Sequence, residues 1–313
     1  MDFPRIARCP ETGATLVQTG PDQLTAEDGR SYRIEDGIAR LLPRAPGADE
    51  TSIVDFYEGD GWEQDGIGLY ADTRKFVDTR PVSLAFTRRC IRRLGAYFRR
   101  GGRYLLDAGS GALPHNELIE YGDAFDKRVC VDLSFHALRA ARRKLGDRGI
   151  YLQGDITNIP VADNSMDAIT CNHVIYQIPP EHQRSAFLEL WRVLRPGGVA
   201  VIVYWWPNAP LGWRTELLAK RICGSQPRER ARETDDPHLL HAPQSRAWFE
   251  SQDWPFRYQY DVFRVIDNGA LRRSVSNDWR GRLFLSGLYA CQAMAPRLCG
   301  KHGMIPAIVM HKD

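Results

Sequence analysis

Five short apolar runs alternate with helical stretches through the middle of the chain, and this alternation constrains the fold more than any other feature. The runs are YLLDAG (104–109), RVCVDLS (128–134), IYLQGD (150–155), DAITCNHV (167–174) and VAVIVYWW (199–206). Strands of a parallel sheet are covered by helices on both faces, so they read as continuous apolar segments. The pattern therefore predicts an α/β fold with a largely parallel sheet and helices on both faces.

A glycine loop follows the first of these runs. In LLDAGSG, Asp107 precedes Gly109 and Gly111. The glycine pair alone fits a plain strand-to-helix turn as well as a loop that a ligand approaches closely. Asp132 and Asp155 end the second and third runs, and carboxyl ends of parallel strands meet at one ligand-binding edge. Acids at that edge disfavour a phosphate and favour a ligand with ribose hydroxyls and a cation.

These motifs together resemble class I S-adenosylmethionine-dependent methyltransferases. The similarity covers roughly residues 100–206, through LLDAGSG, VCVDLS, GDITNIPVADNSMDAITCNHVIYQI and ELWRVLRPGGVAVIV, and is greatest to the group that includes the quinone-biosynthesis enzymes. Leu113 stands where that family has its last loop glycine. The resemblance implies a Rossmann-like, mostly parallel seven-stranded sheet, with S-adenosylmethionine as the cofactor.

The resemblance also implies which residues contact the methionine end of that cofactor. Gly109 and Gly111 should pass beside the methionine part, and Asp107 should lie near its amino group. Asn172, at the end of the fourth run, should lie near the sulfonium. These residues would place the reactive methyl group at the carboxyl edge of the sheet.

Four further residues are implied for the nucleoside end. Asp132 should bind the ribose hydroxyls, and Leu133 should pack on the adenine. Asp155 should accept a hydrogen bond from the adenine amino group, with Ile156 against the ring. The predicted site thus follows the ends of the second and third strands.

Catalytic residues are sought after the fourth run, in CNHVIYQI. Methyl transfer from a sulfonium chiefly needs alignment and exclusion of water, and it needs a general base only if the acceptor must lose a proton early. His173 and Tyr176 are the candidate bases, against the alternatives of a structural histidine and a pocket wall. Many relatives have a histidine in place of Gln177, so no family base is carried over. Further candidates in the tail are His238, His241 and His302.

Residues 1–45 are predicted to form a small β module. Two Asp-Gly pairs (28–29 and 36–37) are hairpin signals. The segment CPETGATL…YRIEDGIARLLP resembles the small ribbon domain of zinc-ribbon-like methyltransferase activators. A structural zinc needs about four Cys or His ligands, whereas this module offers only Cys9. We therefore expect a metal-free ribbon and no metal site.

Three more segments complete the predicted organisation. Residues 52–100 are a helical lead-in that covers the cofactor site, and 101–206 are the S-adenosylmethionine-binding core. Residues 207–313 look irregular and faintly resemble the C-terminal part of methyltransferases encoded with polysaccharide and glycolipid pathways. This tail is expected to cap the acceptor pocket and to hold the remaining strands.

The charge of the chain bears on its binding partners, and its cysteine content bears on its cellular location. A net charge of only +3 makes nucleic acid an unlikely partner for the whole chain. The helix at 88–100 carries six arginines. Three interpretations are open: a solvated face, a contact with an anionic membrane surface, or a site for an anionic acceptor. The seven cysteines include no C-x-x-C pair, and no apolar leader segment is visible. Both observations favour a reducing, cytoplasmic location.

The predicted function is methylation of a small-molecule, glycan-linked or lipid-linked acceptor, with O-methylation favoured. An RNA base methyltransferase is the first alternative, suggested by the ribbon and the arginines, although no N-P-P-[YF] motif follows the fourth run. A non-catalytic cofactor-binding scaffold is the second. The intact strand-end acids and loop glycines argue against a scaffold.

Overall fold

The structure is a computed structural model that describes residues 3–43, 77–224 and 241–313. The predicted lead-in segment is therefore described only from residue 77 onward. The predicted boundary at 45 and the candidate His238 lie outside the described residues.

The strands of the described residues form one sheet. They are β1 (Leu16–Gly20), β2 (Gln23–Ala26), β3 (Ser31–Glu35), β4 (Ile38–Arg40), β5 (Gly102–Ala108), β6 (Phe125–Asp132), β7 (Gly149–Gln153), β8 (Met166–Asn172), β9 (Leu194–Val203), β10 (Arg257–Arg264) and β11 (Ile305–His311). Their order in the sheet is β1-β2-β3-β4-β7-β6-β5-β8-β9-β11-β10.

The centre of the sheet is parallel. The strands β7, β6, β5, β8 and β9 run in one direction, and they coincide with the five apolar runs of the sequence. Strand β11 lies antiparallel between β9 and β10. The predicted α/β fold with seven mostly parallel strands is confirmed from β7 to β10, but the whole sheet is larger and mixed.

The helices cover this sheet. They are α1 (Phe3–Ile6), α2 (Pro81–Leu94), α3 (Asn116–Ile119), α4 (Phe135–Leu145), α5 (Pro180–Val193), α6 (Pro210–Cys223), α7 (Arg246–Ser251), α8 (Asn268–Ser274), α9 (Trp279–Met294) and α10 (Pro296–His302).

Helix α4 shows why these segments become helical and where they pack. Ser134 caps its first turn, since the Ser134 Oγ accepts from the Ala137 N–H at 3.1 Å. Leu138, Ala141 and Leu145 recur every three or four residues and are buried. This apolar stripe lies against the sheet, while the arginines between its members face outward.

The tail is more regular than its sequence pattern predicts. Residues 257–264 and 305–311 are strands that complete the sheet, and β11 is buried at all positions except His311. Because β9 and β10 both pair antiparallel with β11, they point the same way. The carboxyl end of β10 therefore lies at the same edge as the ends of the parallel strands.

The N-terminal strands continue the main sheet. Ile38 of β4 lies opposite Tyr151 of β7 in a parallel pair. The hairpin predicted at Asp36 and Gly37 is confirmed, because both residues have the positive φ angles (49° and 71°) that such a turn requires. Apart from Ile38, which packs with Tyr151 and Leu138, the buried apolar side chains of these strands belong to the same cluster as many of those of the central strands.

The basic helix α2 has much of its charge paired within the molecule. Arg88 and Arg92 both contact Glu117, at 3.5 and 3.0 Å, and Arg93 contacts Asp261 at 2.8 Å. Membrane contact through this helix stays a prediction. Within 3–43, 77–224 and 241–313, no helix is both long and apolar enough to cross a bilayer.

Candidate functional site

The glycine loop between β5 and α3 has a left-handed backbone. Gly109 and Gly111 have φ angles of +68° and +52°. The Gly109 N–H donates to the Val131 carbonyl at 2.8 Å, which ties the loop to the end of β6. A Cβ at position 109 would lie 2.4 Å from Cγ2 of Val174. Both the φ angle and the close approach therefore require glycine at 109.

Leu113 also has a positive φ, of 52°, so the backbone is glycine-like where the sequence has leucine. Its side chain is fully buried and packs in the cluster that contains Leu138. The Lys144 ammonium donates to the carbonyls of Ala112 and Leu113 at 2.8 and 2.7 Å. Burial of the side chain and these two bonds stabilise a conformation that leucine otherwise avoids.

We expect Leu113→Gly to destabilise the protein although it restores the family motif. Glycine relieves about 1–2 kcal/mol of left-handed strain, but the loss of a buried leucine costs about 2–5 kcal/mol. Urea unfolding should therefore show a net loss of up to about 4 kcal/mol. An increase in unfolding free energy would contradict this reading of the leucine as a packing residue.

Two of the strand-end acids are held by backbone amides. Asp132 accepts from the Gly111 N–H at 2.7 Å and from the Ser134 N–H at 2.9 Å. Asp155 accepts from the Thr157 N–H at 2.8 Å and from the Thr157 hydroxyl. A carboxylate can accept about four hydrogen bonds, so an acid oriented by two backbone amides can also accept from a vicinal diol. The bond from the Gly111 N–H also connects the glycine loop to Asp132, the residue predicted to bind the ribose.

Asp107 has a buried partner that the sequence interpretation missed. The Arg128 guanidinium donates through Nε (3.1 Å) and Nη2 to the Asp107 Oδ2, and both side chains are nearly inaccessible. The Arg128 Nη1 also donates to the Leu118 carbonyl at 2.6 Å. The negative charge of Asp107 is therefore paired within the fold. Its contact with a cofactor amino group stays a prediction.

The predicted adenine contacts lie beside an unpaired polar atom. Leu133 is partly accessible and Ile156 is buried. At the end of β7, Gln153 donates through Nε2 to the Leu133 carbonyl at 2.8 Å. The Gln153 Oε1 is buried and accepts no hydrogen bond from the described residues. Apolar faces next to an unfilled acceptor suit a flat heterocycle that carries an amino donor, so these residues fit the predicted nucleoside.

The end of β8 brings the two candidate catalytic residues together. The His173 Nδ1 and the Tyr176 hydroxyl are 3.1 Å apart, and the Asn172 Nδ2 donates to the Thr170 Oγ1 at 2.8 Å. His173 has a φ of +62°, a strained conformation for a residue with a side chain and one that clusters at functional sites.

The electrostatic surroundings keep His173 neutral. The residue is partly accessible to solvent, but protein surrounds its ring. Burial lowers the pKa of His173 to about 3, and the charges of Arg264 and His115 lower it further in the same direction. Neutral imidazole can accept a proton or a hydrogen bond. A pKa this low makes His173 a weak base, however. We therefore expect it to act by hydrogen-bonding to Tyr176 and not as a general base.

Aromatic side chains surround this pair. Two of them, His241 and Phe263, come from the C-terminal tail, and the sequence alone did not predict that they lie together. The His241 ring lies 5.3 Å from the Tyr176 ring and 4.9 Å from the Trp205 ring. The Phe263 ring lies 5.4 Å from the His173 ring. Of the tail histidines proposed as bases, His241 therefore joins the site.

His302 has different surroundings. Its pKa is lowered by burial and by the charges of Arg246 and Lys301, which belong to the surface around α7 and α10. Among the described residues, no group of three or more His, Cys, Asp or Glu side chains is arranged to hold a metal ion.

Comparisons with known proteins agree with this geometry. Residues 106–202 match the family described as "Methyltransferase domain". A demethylmenaquinone methyltransferase of Paenarthrobacter aurescens is 32% identical over 151 residues, which are 47% of this chain and 56% of that protein. The chain thus spans about half the length of this curated relative.

Two solved structures share the fold. The structure of a DhpI–SAH complex superposes with a TM-score of 0.50 at 13% identity, over 84% of this chain and 96% of that one. Phosphoethanolamine N-methyltransferase 1 of Haemonchus contortus superposes with a TM-score of 0.52 at 12% identity, over 84% of this chain and 48% of that one. At these identities the likeness establishes the architecture and leaves the acceptor open.

Proposed function

The chain contains a class I S-adenosylmethionine-dependent methyltransferase domain, and from this premise we propose that the protein methylates a small-molecule acceptor. The observation that carries the proposal is the bond from the Gly111 N–H to Asp132. It joins a left-handed glycine loop to a strand-end acid, as a nucleoside-binding edge requires. S-adenosylmethionine supplies a methyl group on a positively charged sulfur, which is already a good leaving group.

The chain's own residues would bind and orient this cofactor. Asp132 would accept from the ribose hydroxyls and Asp155 from the adenine amino group. Leu133 and Ile156 would pack on the two faces of the base. Gly109 and Gly111 would let the methionine part pass close to the backbone.

The reacting end would lie at the end of β8. Asn172 would lie near the sulfonium, with His173 and Tyr176 beside it. The hydrogen bond between them holds the Tyr176 hydroxyl in position to hydrogen-bond a hydroxyl acceptor, whose proton would leave to water during the transfer because His173 is too weak a base to retain it. For this reason we propose O-methylation first. A glycan-linked or lipid-linked hydroxyl would suit the same pair.

A second acceptor class is an electron-rich ring that is methylated at carbon. The similarity to a demethylmenaquinone methyltransferase favours it. The His241 ring lies 5.3 Å from the Tyr176 ring and 4.9 Å from the Trp205 ring, and such rings can stack on a quinol. The tail beyond β9 contributes part of this wall, in keeping with the proposed cap.

The proposal is tested by binding and by product mass. Calorimetry with S-adenosylhomocysteine should give saturable binding. Mass analysis should then detect the addition of one methyl group in a screen that compares phenols, sugar hydroxyls and quinols. Absence of cofactor binding by the folded protein would refute the proposal. Methylation of quinols alone would select the second acceptor class over the first.

The pH profile separates the roles of the catalytic pair. Because the pKa of His173 is lowered to about 3, His173 stays neutral from pH 5 to 8, and we expect no rate inflection from it in that range. The sequence alone predicts an inflection near pH 6–7 for a histidine base, and the buried setting of His173 changes this expectation.

Two variants make this measurement specific. His173→Asn tolerates the left-handed backbone and removes the imidazole that bonds to the Tyr176 hydroxyl, whereas Tyr176→Phe removes only the hydroxyl. For a hydroxyl substrate, each should lower turnover by about 100-fold or less with unchanged cofactor affinity. A wild-type inflection near pH 6–7 that disappears in His173→Asn would show that His173 titrates as an ordinary base.

A further inference from the structure

Arg264 ends β10 at the same edge of the sheet as the candidate catalytic pair. It is 2% exposed. The ring of Phe263 lies 5.0 Å from the Arg264 Cζ and 5.4 Å from the His173 ring. The guanidinium is therefore close to the place where the proposed function puts the acceptor.

The hydrogen bonds of Arg264 are confined to one side of the guanidinium. Its Nη1 donates to the Asn268 Oδ1 at 2.7 Å and to the Thr87 Oγ1 at 3.2 Å. Its Nε is buried and has no acceptor among the described residues, and none of their hydrogen bonds involves Nη2. The N–H bonds of Nε and Nη2 lie on one edge of the planar group and point the same way. Arginine uses such paired donors to bind two oxygens of a carboxylate or phosphate.

The charge of Arg264 also lacks a direct partner. Within the described ranges, no carboxylate lies within the 4.0 Å of an ion pair with it. Asp78 and Asp267 act on it only at longer range. Asp78 is bound to Arg80, and Asp267 accepts from the Ala270 N–H. A buried cation without an anion is strongly unfavourable, and burial correspondingly lowers the pKa of Arg264.

We propose that the Nε–Nη2 edge of Arg264 binds an oxyanion of the methyl acceptor, either a carboxylate or a phosphate. The inference rests on the proposed function, since it takes the acceptor to lie at this edge. Thr87 and Asn268 hold the guanidinium through its other nitrogen and so fix the direction of the free edge. The bound oxyanion would then set the distance between the acceptor and the end of β8.

Stability distinguishes this role from a structural one. If Arg264 serves an anion, Arg264→Met should leave the melting temperature of the anion-free protein unchanged or raise it, because an apolar chain replaces an unpaired buried charge. If Arg264 is structural, the loss of its bonds to Thr87 and Asn268 should lower the melting temperature. A variant that fails to fold would count as that second outcome.

The binding test uses the full chain saturated with S-adenosylhomocysteine and titrated with inorganic phosphate or, separately, with acetate. We expect saturable binding of at least one anion to the wild type. Arg264→Met should bind it about tenfold more weakly or worse, and Arg264→Lys, which keeps the charge but loses the paired donors, should fall between. The exposed Arg99 provides a matched control, and Arg99→Met should bind like the wild type.

The outcomes separate the two proposals. A response to phosphate alone identifies a phosphorylated acceptor, and a response to acetate alone identifies a carboxylate. Binding of S-adenosylhomocysteine with equal anion titrations for the wild type and Arg264→Met would overturn this inference and leave the proposed function standing. Failure to bind S-adenosylhomocysteine at all would overturn both.

Discussion

Replacement of Arg128 by methionine is expected to destabilise the protein by about 3–5 kcal/mol. The substitution leaves the Asp107 carboxylate buried without its ion-pair partner and removes the Arg128 bond to the Leu118 carbonyl. Breaking a buried pair from one side is costly because the remaining charge has lost its compensation. Guanidinium unfolding at neutral pH, with the wild type measured alongside, gives the difference.

A double variant separates the cost of the unpaired charge from the loss of packing. In Asp107→Leu/Arg128→Met no charge remains, so most of the lost stability should return. The exposed Arg139, which contacts Asp36 at the surface, provides a comparison, since Arg139→Met should cost no more than about 1 kcal/mol. If Arg128→Met were as stable as Arg139→Met, the Asp107–Arg128 pair would have no structural role.

The second large effect is expected for Asp132→Ala, in cofactor binding. The substitution removes the carboxylate, and with it the predicted bonds to the ribose and the bond from the Gly111 N–H. A hydrogen bond to a charged acceptor contributes about 1.5–3 kcal/mol, so affinity for S-adenosylhomocysteine should fall about 10- to 150-fold. Calorimetry of the folded variant, with its melting temperature recorded, measures the loss.

The same strand supplies the control for this experiment. Asp126 is exposed near the opposite end of β6, so Asp126→Ala removes an equal charge far from the predicted ribose. Its affinity should equal that of the wild type. If Asp132→Ala also retained wild-type affinity, the nucleoside would have to bind elsewhere, and the roles assigned to Leu133 and Asp155 would lose their support.

The central strands were predictable from the sequence because of where they lie. A strand covered on both faces must be apolar at consecutive positions, and RVCVD and IYLQ have this pattern without turn residues inside them. The tail strands were harder to recognise. In β10 the buried positions occur only in the second half, after four more accessible residues. Because the buried half also contains Asp261 and Arg264 and the accessible half contains two tyrosines, the sequence of β10 shows no clear period.

The site was predictable where it depends on one residue type at a strand end. Asp132 and Asp155 were predicted in this way; the structure gives Asp132 two backbone amide donors and Asp155 one, and their contacts with the cofactor stay predictions. Arg128 and Arg264 were missed because each has a partner on another element of the fold, Asp107 on the neighbouring strand β5 and Thr87 on α2, far away in sequence. The available signal was a single arginine within an apolar strand segment: Arg128 in RVCVD and Arg264 in DVFRVI. Such a residue needs a partner, but the sequence does not say which one.

The pairing of β4 with β7 has a consequence for folding on the ribosome. Ile38 must meet Tyr151, so the partner of the N-terminal hairpins is synthesised more than a hundred residues after them. At about 5–20 residues per second, β4 remains without its parallel neighbour for roughly 6 to 23 seconds. During that time its open backbone edge is available to other nascent strands. Contacts this distant along the chain also form late and slow the overall folding rate.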